Sequence, residues 1–216
     1  MKTGLVEALG VEGLTCVVGA GGKKTTLYRL AGVVPRAVVT ATVRIPHFDS
    51  QVSAVHVTDD PIEAVRSTDE WPVGVVPERE SNRYRGYDPT VVDDLAAAEL
   101  ADVVLVKADG ARTRWLKAPN EREPRIPVSA DVVIPIASAR VVGEPLPEEH
   151  VHRPDRVAAL TGRETGGSLT AADVATVLTS DRGGLKGVPA DARVVPLVNM
   201  VDDEALESVG HEIAEA

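Results

Sequence analysis

Short runs dominated by Val, Ile, Leu and Ala limit what this chain can fold into more than any other feature of it. They fall at residues 14–18, 37–41, 54–57, 73–76, 103–106, 132–136 and 194–198, several of them separated by helix-length intervals. A strand with one wetted face alternates apolar and polar residues, whereas an unbroken apolar strand needs cover on both faces, as in a parallel sheet. Valine supplies 36 of the 216 residues while aromatics make up only 3%, so β-branched side chains must fill the core. Helices are expected at 25–30, 61–66, 89–100, 154–160, 171–178 and 203–213. Asp88 before Pro89 and Thr170 before Ala171 are good helix starts. This order predicts an α/β fold: a P-loop-like three-layer sandwich around a mostly parallel sheet, in a single domain over residues 1–216.

Charge narrows the choice of partners. With 33 acidic and 23 basic residues the net charge is −10, which argues against a broad nucleic-acid-binding face but leaves room for a local phosphate pocket. Only six of the basic residues are lysines, and an acidic, lysine-poor composition fits either adaptation to high salt or an ordinary acidic protein from a GC-rich genome. The single cysteine, Cys16, excludes an intrachain disulfide and a cysteine-rich metal cluster. Without a secretory leader or an 18-residue apolar run, the expectation is a soluble cytoplasmic protein that meets no membrane.

Three strand ends carry the candidate chemistry. The first run leads into Gly19, Ala20, Gly21, Gly22, Lys23, Lys24, Thr25 and Thr26. Glycines let successive amides face an anion, the following helix adds its positive end, and lysine and threonine suit phosphate and magnesium. The strict phosphate-loop spacing fits in neither register, so either Lys23 or Lys24 could be the phosphate ligand. Two lysines at a helix start are electrostatically unfavourable unless an anion answers them. The fifth run ends in Asp109, placed with Thr25 as a magnesium ligand. The last run ends in Asn199 and Asp202, at the place where guanine-specific P-loop proteins carry Asn-Lys-x-Asp; Met200 stands in place of the lysine. Thr40 and Thr42 could join a metal shell or a switch loop.

Residues 110–127 and 146–154 read as long functional loops. The first carries Arg112 and Arg114, possible clamps for a phosphate or pterin anion, and Lys117, Glu121 and Glu123. The second carries His150, His152 and Arg153. Lys117, Glu123, His152 and Arg153 are the candidate catalytic residues. Residues 77–87 read as a hydrated loop, with a lid as the sharper alternative.

Together these landmarks resemble the YqeC family, through Gly19–Lys23 with Thr25 and Thr26, and Ala108–Ala111. Leu116–Pro119, Glu123 with Pro124, Ile126 with Pro127, and Glu149–Pro154 add to the match. Family members usually lack the second lysine and often have an acidic residue where Lys107 stands. The resemblance implies a P-loop-like nucleotide-binding accessory protein in the maturation of selenium-dependent molybdenum hydroxylases. ATP or GTP with magnesium would be the ligand, and the molybdenum cofactor or a hydroxylase apoenzyme would be partners. A magnesium-dependent NTPase is one form of that role. The alternatives are a non-catalytic carrier of a phosphorylated, molybdopterin-type cofactor, and a degenerate P-loop scaffold that binds protein partners.

Overall fold

The computed structural model describes residues 3–146, 149–164 and 166–216, so positions 147 and 148 of the second expected loop lie outside the described residues. The strands are β1 (Gly13–Gly19), β2 (Ala37–Ala41), β3 (Ile45–Pro46), β4 (Ala54–Val57), β5 (Val73–Val76), β6 (Arg83–Tyr84), β7 (Val103–Lys107), β8 (Leu116–Lys117), β9 (Val132–Ser138), β10 (Val151–His152), β11 (Arg193–Val194) and β12 (Leu197–Asn199). The α-helices are α1 (Thr3–Ala8), α2 (Lys23–Ala31), α3 (Pro61–Ser67), α4 (Pro89–Ala97), α5 (Pro154–Thr161), α6 (Ala171–Thr179) and α7 (Glu204–Glu215).

The central sheet runs β11-β9-β1-β7-β2-β5-β4, with β12 also on β9, and each of its pairings is parallel. Successive side chains on each strand enter opposite layers. Val17, Val39, Leu105 and Ile134 pack with Leu27 and Leu30 of α2 and with residues of α1. Cys16, Val38, Val106 and Val133 pack with Val65 of α3 and with Val92 and Leu95 of α4. A third cluster joins α5, α6 and α7 to β8, β9 and β10. The α/β class and the mostly parallel sheet follow the sequence expectation.

Local signals act where they should. The Asp88 carboxylate accepts from Thr90 N–H at the start of α4, and Thr170 and Asp173 form a reciprocal capping box on α6. The seventh apolar run divides into β11 and β12 around Pro196, which has no N–H for the ladder. Residues 77–87 are not simply a hydrated loop: β6 pairs with β3, and the Tyr84 ring is fully buried against Phe48. Residues 110–127 likewise contain β8, which pairs with β10.

Candidate functional site

β1 lies between β7 and β9, so the loop after β1 and the residues after β7 emerge side by side at the carboxyl edge of the sheet. Ligands of open α/β sheets bind at such an edge. The glycine-rich loop there is half closed. Gly19 N–H donates to Asp109 Oδ2 at 2.9 Å, Ala20 N–H to Ile136 O at 2.8 Å, and Gly21 N–H to Arg114 O at 2.9 Å. The next four amides, from Gly22 to Thr25, have no protein acceptor among the described residues, and no side chain caps α2. Gly22, at φ 123°, turns the chain into the helix.

Beneath the loop runs a ladder of alternating charges. Lys23 is 5% exposed and folds back, donating to the Gly19 carbonyl, with Nζ 2.6 Å from Asp109 Oδ1. Lys117 Nζ lies 2.9 Å from Asp109 Oδ2 and 2.9 Å from Glu123 Oε2, and Arg153 reaches the same Glu123 oxygen at 2.7 Å. Burial pushes the Asp109 carboxyl upward, but Lys23 and Lys117 outweigh it and hold the group below its ordinary value. Glu123 is lowered in the same way, burial being outweighed by Lys117 and Arg153.

Above the ladder opens a cleft of about 800 Å³. Ala20 to Thr25 form one wall, Val43 to Pro46 with Asn82 and Arg83 a second, and Gly110 to Arg114 a third; Lys107, Glu123 and Met200 complete the lining. Seven basic residues (Lys23, Lys24, Arg44, Arg83, Lys107, Arg112 and Arg114) line it against one carboxylate, in a chain of net charge −10; of these, Lys23 is paired with Asp109 and Arg44 with Glu80. Three lining residues, Arg112, Thr113 and Met200, hold positive φ angles of 48°, 62° and 59°. Such backbone costs about 1–3 kcal/mol per residue and gathers at functional sites.

The other expected site residues take up supporting places. Gly19 and Thr26 lie outside the lining, and the Thr26 hydroxyl donates to Gly22 O. Thr25 is exposed on the cleft wall. Asn199 Nδ2 donates to Gly21 O at 3.0 Å and so braces the loop, while Asp202 is paired with Arg140. The Thr40 and Thr42 hydroxyls donate to the carbonyls of Val75 and Arg125. His150 stacks on Trp115 with ring centroids 4.2 Å apart. Burial, then the Arg153 and Lys117 charges, lower His152 to about 4, so its imidazole is neutral at pH 7. Glu121 pairs with Arg156, outside the cleft lining. No group of three or more metal-ligating side chains occurs among the described residues. No helix there is long and apolar enough to cross a membrane.

A family model described as YqeC protein matches residues 15–155. This chain belongs to the YqeC family. It is 30% identical over 190 residues to "Uncharacterized protein YqeC" of Escherichia coli (strain K12), covering 85% of this chain and 74% of that protein. No solved structure matches. The YqeC segment contains the whole glycine-rich loop and every member of the charge ladder from Lys23 to Arg153, whereas Asn199 and Met200 lie beyond it.

Lys107, marked in the sequence only as a departure from the family's usual acidic residue, lines the cleft. It ends an unbroken apolar strand, where a surface lysine would be unremarkable, yet it is 6% exposed at the cleft floor. Burial, then the charge of Lys23, lower its ammonium to about 7. Between pH 7 and about 10 the unfolded chain therefore holds a proton that the fold has released, so this residue makes stability rise with pH there. Lys107→Met is expected to be more stable than wild type below pH 7, with the gap closing toward pH 10. Urea unfolding of both proteins across that range checks it, and a gap independent of pH contradicts it.

Proposed function

We propose that the cleft binds a phosphorylated small molecule, a nucleoside triphosphate in the first instance. On this view the protein is a nucleotide-binding accessory factor in the maturation of selenium-dependent molybdenum hydroxylases. The observation that carries the binding role is a cleft lined by seven basic residues and one carboxylate, five of the basic residues having no carboxylate partner among the described residues, beside four unclaimed amides at a helix start. Amides and dipole at that position favour an anion, and Lys24 at the same place is unfavourable without one. The hydroxylase role rests on the family resemblance alone.

Magnesium does not fit Asp109 as the side chains stand. Gly19 N–H and two ammonium groups occupy its oxygens, and the added cation would meet Lys23 within the same contact. The protein's own cations therefore neutralise the phosphates. Glu123, the one carboxylate lining the cleft, is held ionised by Lys117 and Arg153 and is a weak base. Binding is accordingly favoured over hydrolysis.

A second role is supported by the last strand. Asp202, the group placed to accept from a base, is engaged by Arg140, while Asn199 braces the loop through Gly21 O. A carrier of a phosphorylated, pterin-type cofactor needs no such reader. Titration calorimetry with ATP, GTP and a phosphorylated pterin, with and without magnesium, tests both roles. Nucleotide binding is expected, and a Lys23→Ala/Lys24→Ala double variant is expected to lose about 100-fold in affinity, the worth of one to two charge-assisted contacts. Pterin binding alone supports the carrier. No binding of any of these anions overturns the proposal.

A further inference from the structure

One buried lysine in the cleft has no opposite charge of its own. Lys107 Nζ donates to the Arg44 carbonyl oxygen at 2.8 Å and forms no ion pair among the described residues. Its neighbours are answered: Lys23 by Asp109, and Lys117 by Asp109 and Glu123. A lysine is seldom buried unless paired, because a single neutral acceptor replaces little of the hydration that an ammonium gives up. At 6% exposure Lys107 bears that cost, and what it faces is the cleft. It stands on the strand next to β1, with Val17 as its register partner, while the unclaimed amides begin five residues further along at Gly22. The cleft thus holds two separate places for negative charge. One is at the start of α2 and the other is at its floor.

We propose that Lys107 is a specificity-determining residue of this cleft. It takes the second phosphate of a ligand whose first phosphate sits on the α2 amides, and so selects linked phosphates over a single one. This inference rests on the anion-binding role proposed above and requires neither a metal nor a base-reading group.

Calorimetry of the full chain with inorganic tripolyphosphate and with orthophosphate tests it. The wild type is expected to prefer tripolyphosphate. Lys107→Met is expected to lose about 10- to 100-fold of that preference, the size of one charge-assisted contact, because tripolyphosphate affinity falls further than orthophosphate affinity. Lys107→Gln keeps a donor for the Arg44 carbonyl but no charge and is expected to lose as much, whereas Lys107→Arg recovers part of the preference. Thermal unfolding establishes that each variant is folded. A preference that survives in Lys107→Met, or is restored by Lys107→Gln, overturns the inference while leaving the anion site intact. Failure of the wild type to bind either anion overturns it together with the role on which it rests.

Discussion

Replacing Asp109 by asparagine is expected to destabilise the protein by about 3–5 kcal/mol, the usual cost of stripping a buried charge of its partner. The side chain is 2% exposed and receives Gly19 N–H, Lys23 and Lys117 at once. Asparagine keeps the shape but cannot neutralise either ammonium. Lys117 retains Glu123, whereas Lys23 is left with the Gly19 carbonyl alone. At roughly 2–4 °C per kcal/mol for a chain of this size, the melting temperature should fall by about 6–20 °C. Acid should act in the same direction. The Asp109 carboxyl is held below its ordinary value, so its contribution is intact above pH ~4 and disappears as pH falls through the lowered value. Denaturant unfolding at pH 7 measures the effect, and a loss below about 1 kcal/mol would mean that the ladder is far better hydrated than its burial indicates.

The second large effect is expected from Gly19→Ala. Gly19 has φ 87°, and a methyl group there would come 2.3 Å from Ile136 O and 2.9 Å from Ile136 N. Both are backbone atoms of the neighbouring strand, so no side-chain rotation relieves the clash. Left-handed backbone costs a side chain about 1–2 kcal/mol and overpacking about 1–3 kcal/mol, giving a loss of about 2–5 kcal/mol. The same residue donates its N–H to Asp109. The two substitutions should therefore couple, with Gly19→Ala/Asp109→Asn costing less than the sum of the single losses. Strict additivity in a double-mutant cycle would show that strand and carboxylate are held independently.

What was legible in the sequence is what depends on neighbours in the chain. The valine-rich runs at 14–18, 37–41, 73–76, 103–106 and 132–136 marked the buried parallel strands because nearly every residue of such a strand meets apolar cover, whereas β4, β11 and β12, from the runs at 54–57 and 194–198, are only partly buried. Capping residues marked the starts of α4 and α6 because a cap acts within three residues. α1 escaped notice because six residues are too few to display a helical period. β8 and β10 escaped because each is two residues long and they pair across some thirty intervening positions. The site divides along the same line. Asp109 and the glycine-rich loop were recognisable as motifs, but the ladder Lys23–Asp109–Lys117–Glu123–Arg153 exists only once distant segments meet. Lys107 did leave a faint signal, a lysine closing an otherwise apolar strand in a chain that rarely uses lysine.

The place of β1 between β7 and β9 also governs when the cleft can exist during synthesis. Leu14 is joined to Asp131, 117 residues later, and Gly19 to Asp109, 90 residues later. Contacts of such high order close slowly, because a long loop must be ordered before any pairing rewards it. A nascent chain that has released only its first hundred residues carries the glycine-rich turn but neither wall strand beside it. Until β9 arrives, β1 exposes an apolar edge that invites other chains. The glycine-rich turn is thus among the earliest segments to be made and among the last to gain its neighbours.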